Sequence, residues 1–92
     1  MADFAQIEHD LERNGYILLR SDIDVALTLT KIASKAKKDS DRRTRNQATA
    51  RRAYDQILRL LGRLRLGEEQ KNEVKDKLEV LKSALRKLGE QF

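Results

Sequence analysis

Between Lys31 and Arg65 the chain carries twelve Lys and Arg against three Asp. The arginines are spaced for a surface rather than for a reaction. On a helix, Arg45, Arg52, Arg59 and Arg63 project within about 40° of one direction, as a ridge about 27 Å long at 1.5 Å per residue. Lys31, Lys35 and Lys38 make a similar line on the preceding segment, and Arg42 and Arg43 lie near the turn between the two. Positive groups held at intervals on a rigid element suit phosphates. Guanidinium forks bind carboxylates as well. The simplest role for such a face is solvation of a helical bundle. Beyond that, an acidic protein partner stands ahead of nucleic acid. No aromatic residue interleaves the ridge to stack single-stranded bases, and the turns lack the spacing of a helix-turn-helix reader.

Catalytic chemistry has little to work with. His9 is the one imidazole and sits among Glu8, Asp10 and Glu12, as a solvated residue would. There is no Cys nucleophile, and no Ser or Thr stands in a recognisable arrangement with a base. The four glycines are scattered, so no phosphate-cradling loop is expected. Asp22 and Asp24, two apart on a helix, cannot face one target. We expect a non-enzyme with no catalytic residue, no metal site, no cofactor and no small-molecule substrate.

Composition points the same way. Fourteen Leu, five Ile, three Val and two Phe among 92 residues suffice for a core. Pro is absent, and Leu outnumbers the β-branched aliphatics. Both favour helix interiors. Without Cys there are no disulfides or thiolate metal sites. No apolar run reaches the roughly 18 residues of a membrane span, and the first ten residues are acidic rather than signal-like. A cytoplasmic location without membrane contact is the expectation. Charge is polarised: residues 1–30 are net −4, residues 31–66 net +9, and residues 67–92 balanced. Such a chain steers toward an anionic partner or the acidic end of its own neighbour.

The elements that must position these charges read as helices. Asp3 and Gln6 form a capping box before Phe4, Ile7 and Leu11, and Asn14-Gly15 supplies a stop, giving a short helix over about 4–13. Tyr16-Ile17-Leu18-Leu19 has no period and reads as an extended connector, with pairing to its copy in a second subunit as the alternative. Ser21 and Asp24 open the next helix, whose stripe is Val25, Leu29, Ile32 and Ala36, with Ile23, Leu27 and Thr30 on the opposite face. Asp39-Ser40-Asp41 breaks the pattern and can cap a long helix over about 41–65 with the core line Ala50, Tyr54, Ile57, Leu61 and Leu64, widened by Ala53, Leu58 and Leu60. Gly62 falls inside it and suggests close approach of another backbone. After the Leu66-Gly67 turn, Val74, Leu78, Leu81, Leu85, Leu88 and Phe92 repeat at 4,3,4,3,4, with Glu73–Lys77 and Glu79–Lys82 pairs outside. Val80, Ile23 and Leu27 lie off the main stripes, which together with Tyr16–Leu19 raises a homodimer.

The stretch Ala53-Tyr54-Asp55-Gln56-Ile57-Leu58 through Leu88 resembles a helical hairpin of the tetratricopeptide or MIT (microtubule-interacting and trafficking) type, with its Ala-Tyr pair, Leu-rich first helix, short turn and amphipathic second helix. The resemblance covers under half the chain and lacks the tetratricopeptide Trp, crossing Gly and closing Pro. It implies a protein-binding bundle and carries over no binding residues. The chain also resembles small uncharacterised helical proteins of bacteria.

The expectation is therefore an all-α, three-helix antiparallel bundle with a short additional N-terminal helix. Residues 1–20 would be the helix and connector packed on the bundle, and residues 21–92 the bundle itself, within one domain. Its function would be protein–protein interaction through the basic face.

Overall fold

The computed structural model describes the backbone from residue 4 and the side chains from residue 15 to residue 92. Three helices follow one another: α1 (Phe4–Lys35), α2 (Asp41–Leu61) and α3 (Glu68–Lys87). Tyr16 and Asp24 of α1 meet Glu73 and Lys77 of α3, so these two run parallel. Gln47 and Arg51 near the start of α2 meet Glu90 and Gln91 just past the end of α3, so α2 runs antiparallel to both. The molecule is a rod of 55 × 23 × 16 Å. Its length is set by α1, about 48 Å at 1.5 Å per residue.

The first correction to the sequence reading concerns α1. No separate short helix and no connector exist, because Tyr16–Leu19 is helical. Its four apolar residues divide as a helix would divide them: Leu19 is fully buried and Tyr16 half-buried, while Ile17 and Leu18 are exposed. Asn14-Gly15 does not stop the helix either. A mid-helix glycine costs about 1 kcal/mol relative to Ala. Here it makes room: a Cβ at Gly15 would come within 3.0 Å of Leu64 Cδ1, in the connection between α2 and α3. Ser21 and Asp24 consequently lie inside α1 and cap nothing; Asp24 instead pairs with Lys77 Nζ at 3.2 Å. The Asp3–Gln6 box and His9 lie outside the residues whose side chains are described.

The buried stripe of α1 also differs from expectation. It is Leu19, Ile23, Ala26, Thr30 and Ala33, at 4,3,4,3 spacing. Of the stripe expected to be core, Val25 is 59% exposed, and Leu29, Ile32 and Ala36 are only partly covered. Small residues explain the choice. Ala26 and Ala33 on α1 and Ala50 on α2 are all fully buried, so the axes can approach closely without voids. The hydroxyl of buried Thr30 donates to Leu27 O at 2.7 Å, which satisfies the polar atom this stripe carries inward.

The other two helices follow their patterns more closely. Asp39, at φ +68°, turns the chain in the left-handed region that Asp tolerates, and Ser40 Oγ accepts from Arg43 N at 3.2 Å to cap α2. Ala50, Tyr54, Ile57 and Leu61 are buried as the spacing predicts. The helix ends at Leu61 rather than 65, with Gly62 as its C-cap and no other helix pressed against it. Leu58 and Leu60 do not widen the core; they are 51% and 37% exposed. Helix α3 is capped at its start by Gly67, whose N–H donates to Gln70 Oε1 at 3.3 Å, and buries Val74, Leu78, Leu81 and Leu85.

The α3 heptad does not run on to Phe92. Gly89 (φ +103°) turns the chain out of the helix, Glu90 N donates to Leu85 O at 3.0 Å and Gly89 N to Arg86 O at 2.9 Å. This is the paired closure of a Schellman cap. The turned chain brings Phe92 edge-on to Tyr54, centroids 5.1 Å apart, with the Arg51 guanidinium 3.9 Å above the ring. The expected Glu73–Lys77 pair is replaced by contacts between helices: Glu73 holds Arg20 at 3.2 Å and Lys77 holds Asp24. Glu79 and Lys82 form no ion pair.

Candidate functional site

The nine basic residues singled out from the sequence divide into three places. Arg45, Arg52 and Arg59 lie on the exposed outer side of α2, in one row with Thr49 and Gln56 at 4,3,4,3 spacing. Over this helical part the row is about 21 Å long. Arg63 falls beyond the end of α2, in the turn toward α3. Lys35, Lys38 and Arg42 gather around the α1–α2 turn, all exposed. Lys31 and half-buried Arg43 face a groove that α3 completes. Among the described residues, none of the nine takes part in an ion pair within 4 Å. The cations that do pair are Arg20, Arg51 and Lys77.

Beside a groove of about 420 Å³ lined by Arg51, Arg52 and Glu90, two more lie near these residues. One, of about 500 Å³, lies between the C-terminal ends of α1 and α3. Lys31, Arg43 and Lys87 stand around Val80, Ala84 and Leu88, and no carboxylate lines it. Two of its hydroxyls are engaged within α1: Thr30 donates to Leu27 O and Ser34 to Lys31 O. Lys87 was missed by the sequence reading because it sits on α3, far along the chain from the basic run. Only the parallel packing of α1 and α3 brings it to Lys31.

The other groove is a furrow of about 180 Å³ between α1 and α2. Val25, Leu29, Ala53 and Leu60 give it apolar walls, and Asp22 is the one charged residue of its lining. Thr49 and Gln56 line its α2 side and alternate with Arg45, Arg52 and Arg59 in the row just described. The Arg row lies farther round α2 than these two residues and lines none of the furrow; Arg52 instead borders a groove with Arg51 and Glu90. The sequence held a signal for this furrow that was read as core: Val25, Leu29 and Ile32 do form a stripe, but one only partly covered, with Leu29 against the core and Val25 exposed.

On the α1–α3 side the polar groups are committed to each other. Tyr16 OH donates to Glu73 Oε2, and Arg20 reaches both Glu73 and the Tyr16 ring, 5.5 Å from its centroid. The Glu73 hydrogen bond, chiefly, raises the Tyr16 pKa above the ordinary value. The Tyr54 pKa is raised first by burial and then by the Glu79 charge.

No described helix is long and apolar enough to cross a membrane. Among the described residues no group of three His, Cys, Asp or Glu is placed to hold a metal ion. Comparison with known protein families, with curated proteins and with solved structures finds no match to this chain.

Proposed function

We propose that this chain is a non-enzymatic, cytoplasmic protein–protein interaction module that docks an acidic amphipathic helix along the α1–α2 furrow. The carrying observation is the apolar trough at Val25, Leu29, Ala53 and Leu60, whose α2 wall at Thr49 and Gln56 shares the outer side of that helix with the exposed Arg45–Arg52–Arg59 row. A nucleic-acid surface needs the cations and has no use for an aliphatic trough. A helix with a leucine face and acidic flanks uses both, as helix-in-groove recognition does. The tetratricopeptide- and MIT-like features of residues 53–88 agree with a protein-binding role.

The test is binding of a labelled synthetic helix, Leu at i, i+3 and i+7 with Glu on its flanks, against a mixed-sequence DNA duplex. The peptide should bind, Arg45→Glu/Arg52→Glu/Arg59→Glu should weaken it at least about tenfold, and the same reversals at Lys31, Arg43 and Lys87 should change it little. Duplex binding at low salt with no peptide binding would replace this reading with a sequence-tolerant nucleic-acid binder, since counterion release is strongest there.

A further inference from the structure

The groove between the C-terminal ends of α1 and α3 is separate from the furrow and brings together one cation from each helix: Lys31 of α1, Arg43 of α2 and Lys87 of α3. No carboxylate lines it. Among the described residues none of the three has an ion-pair partner within 4 Å. Three like charges around one cavity repel one another, so their gathering costs the folded chain something.

Helix dipoles account for one of these cations and not for the others. Lys87 stands in the last turn of α3, where a positive charge is favoured. Lys31 lies a full turn before Lys35, the last residue of α1, where the dipole has largely faded. Arg43 stands in the first turn of α2, at the positive end of that helix, where a cation is disfavoured. It is also half-buried, so water and salt screen its charge less. An anion in the groove would relieve all three.

The floor beneath the cations is apolar. Leu88 is buried, Ala84 is half-buried, and Val80, 58% exposed, is the large aliphatic of α3 that the core does not use. Ser83 adds an exposed hydroxyl. At about 500 Å³ the space falls in the range of small-molecule sites and exceeds what a bare inorganic anion fills.

We infer that this groove is a binding site for a phosphate monoester with a small apolar body, its phosphate among Lys31, Arg43 and Lys87 and its body over Val80, Ala84 and Leu88. A phosphate monoester carries about 1.5 to 2 negative charges at neutral pH and answers three cations better than a single carboxylate does. The Arg43 fork can take two of its oxygens, and the two ammonium groups act as point charges. The lining has no His or carboxylate to serve as general base, so the molecule is bound and not turned over.

Phenyl phosphate, titrated by calorimetry at low salt in a phosphate-free buffer, is the probe. It should bind with a Kd below about 1 mM, and inorganic phosphate at least about tenfold more weakly for want of the ring. Arg43→Gln should weaken phenyl phosphate at least about tenfold. Lys31→Gln/Lys87→Gln, at two exposed positions, should do the same with helical content unchanged, which keeps the test open should position 43 not tolerate substitution. Arg45→Gln/Arg52→Gln/Arg59→Gln should leave the affinity as it was. Val80→Ser should remove most of the difference between the two phosphates. Binding should tighten between about pH 5 and 7 as the phosphate takes its second charge. No binding up to about 10 mM overturns the inference. Equal affinity for both phosphates does so too, since it would show charge attraction alone, as does an affinity indifferent to both the Arg43 and the lysine variants. Sedimentation of the protein with phosphatidylcholine vesicles containing phosphatidic acid, without binding of phenyl phosphate, would overturn it in favour of a membrane surface.

Discussion

Helices α1 and α3 lie side by side and parallel, and they use their apolar residues in different ways. In α3 the line from Val74 through Leu85 is buried residue by residue, and Val80 is the one large aliphatic left outside it. In α1 the buried line is built largely of small or polar residues, Ala26, Thr30 and Ala33 beside Leu19 and Ile23, while Leu18 and Val25 point to water. Size therefore does not decide what goes inside. A helix that must lie close to its neighbour turns its alanines inward, and its larger side chains are left to face something else. The comparison teaches that α3 buries its one apolar line, whereas α1 buries the line of smaller residues and leaves Leu18 and Val25 exposed.

Truncation within the two lines gives the largest effects. Leu81→Ala and Ile23→Ala both empty fully buried sites, so each should cost about 2–5 kcal/mol in chemical denaturation. Val25→Ala, two residues from Ile23, should change the stability of the dilute monomer by no more than about 0.5 kcal/mol. Equal losses at 23 and 25 would erase the distinction between the two lines of α1.

Adding volume tests the same point from the other side. Ala26→Leu should destabilise by about 1–3 kcal/mol, although Leu is an excellent helix former, because Ala26 is fully buried where α1 packs on α2. If the melting midpoint rises instead, the close approach between α1 and α2 is not what selected the small residues.

These cases also show where the sequence was legible. Helix α3 and the core line of α2 could be read because each has a single apolar period and a clear turn signal at Asp39-Ser40-Asp41 or Gly67. The heptad of α3 misled only at its end, where the φ +103° of Gly89 diverts the chain and sends Phe92 to Tyr54. Helix α1 was misread because two apolar lines compete and periodicity alone does not rank them. The line with the larger side chains was chosen, and the packing selected the other. Asn14-Gly15 imitated a stop because the space glycine leaves for Leu64 is a tertiary fact, invisible to local spacing. The Arg row could be located from 7-residue spacing, but not the trough beside it, which exists only once α1 is placed against α2.

Just past the end of α3 the comparison can be sharpened further. Phe92 is 44% exposed yet sits against Tyr54 and under the Arg51 guanidinium. Phe92→Ala should lower stability by about 1–2 kcal/mol, the worth of one edge-on aromatic pair and one stacked cation. Phe92→Leu should recover part of the apolar contact and none of the ring interactions. A variant as stable as the wild type would mean that the turn at Gly89 only ends the helix and does not fasten α3 to α2.

The smallest expected effect lies where α1 and α3 meet through polar groups. Tyr16 donates to Glu73, and its raised pKa means the folded chain holds the phenolic proton more tightly than the unfolded chain does. Burial gives Tyr54 the same direction. Both contributions are complete below about pH 10, where an unfolded tyrosine begins to ionise, and are lost as pH climbs through the raised folded values. Stability should accordingly fall above pH 10, and absorbance at 295 nm should show the folded tyrosines ionising later than the unfolded ones. Tyr16→Phe removes one of the two groups, so its stability should decline less steeply over the same range. Parallel curves for wild type and Tyr16→Phe would mean that Glu73 serves Arg20 alone. The junction of α1 with α3 would then be held by packing and the two ion pairs, and the contrast between the helices would rest on side-chain volume without help from the tyrosine.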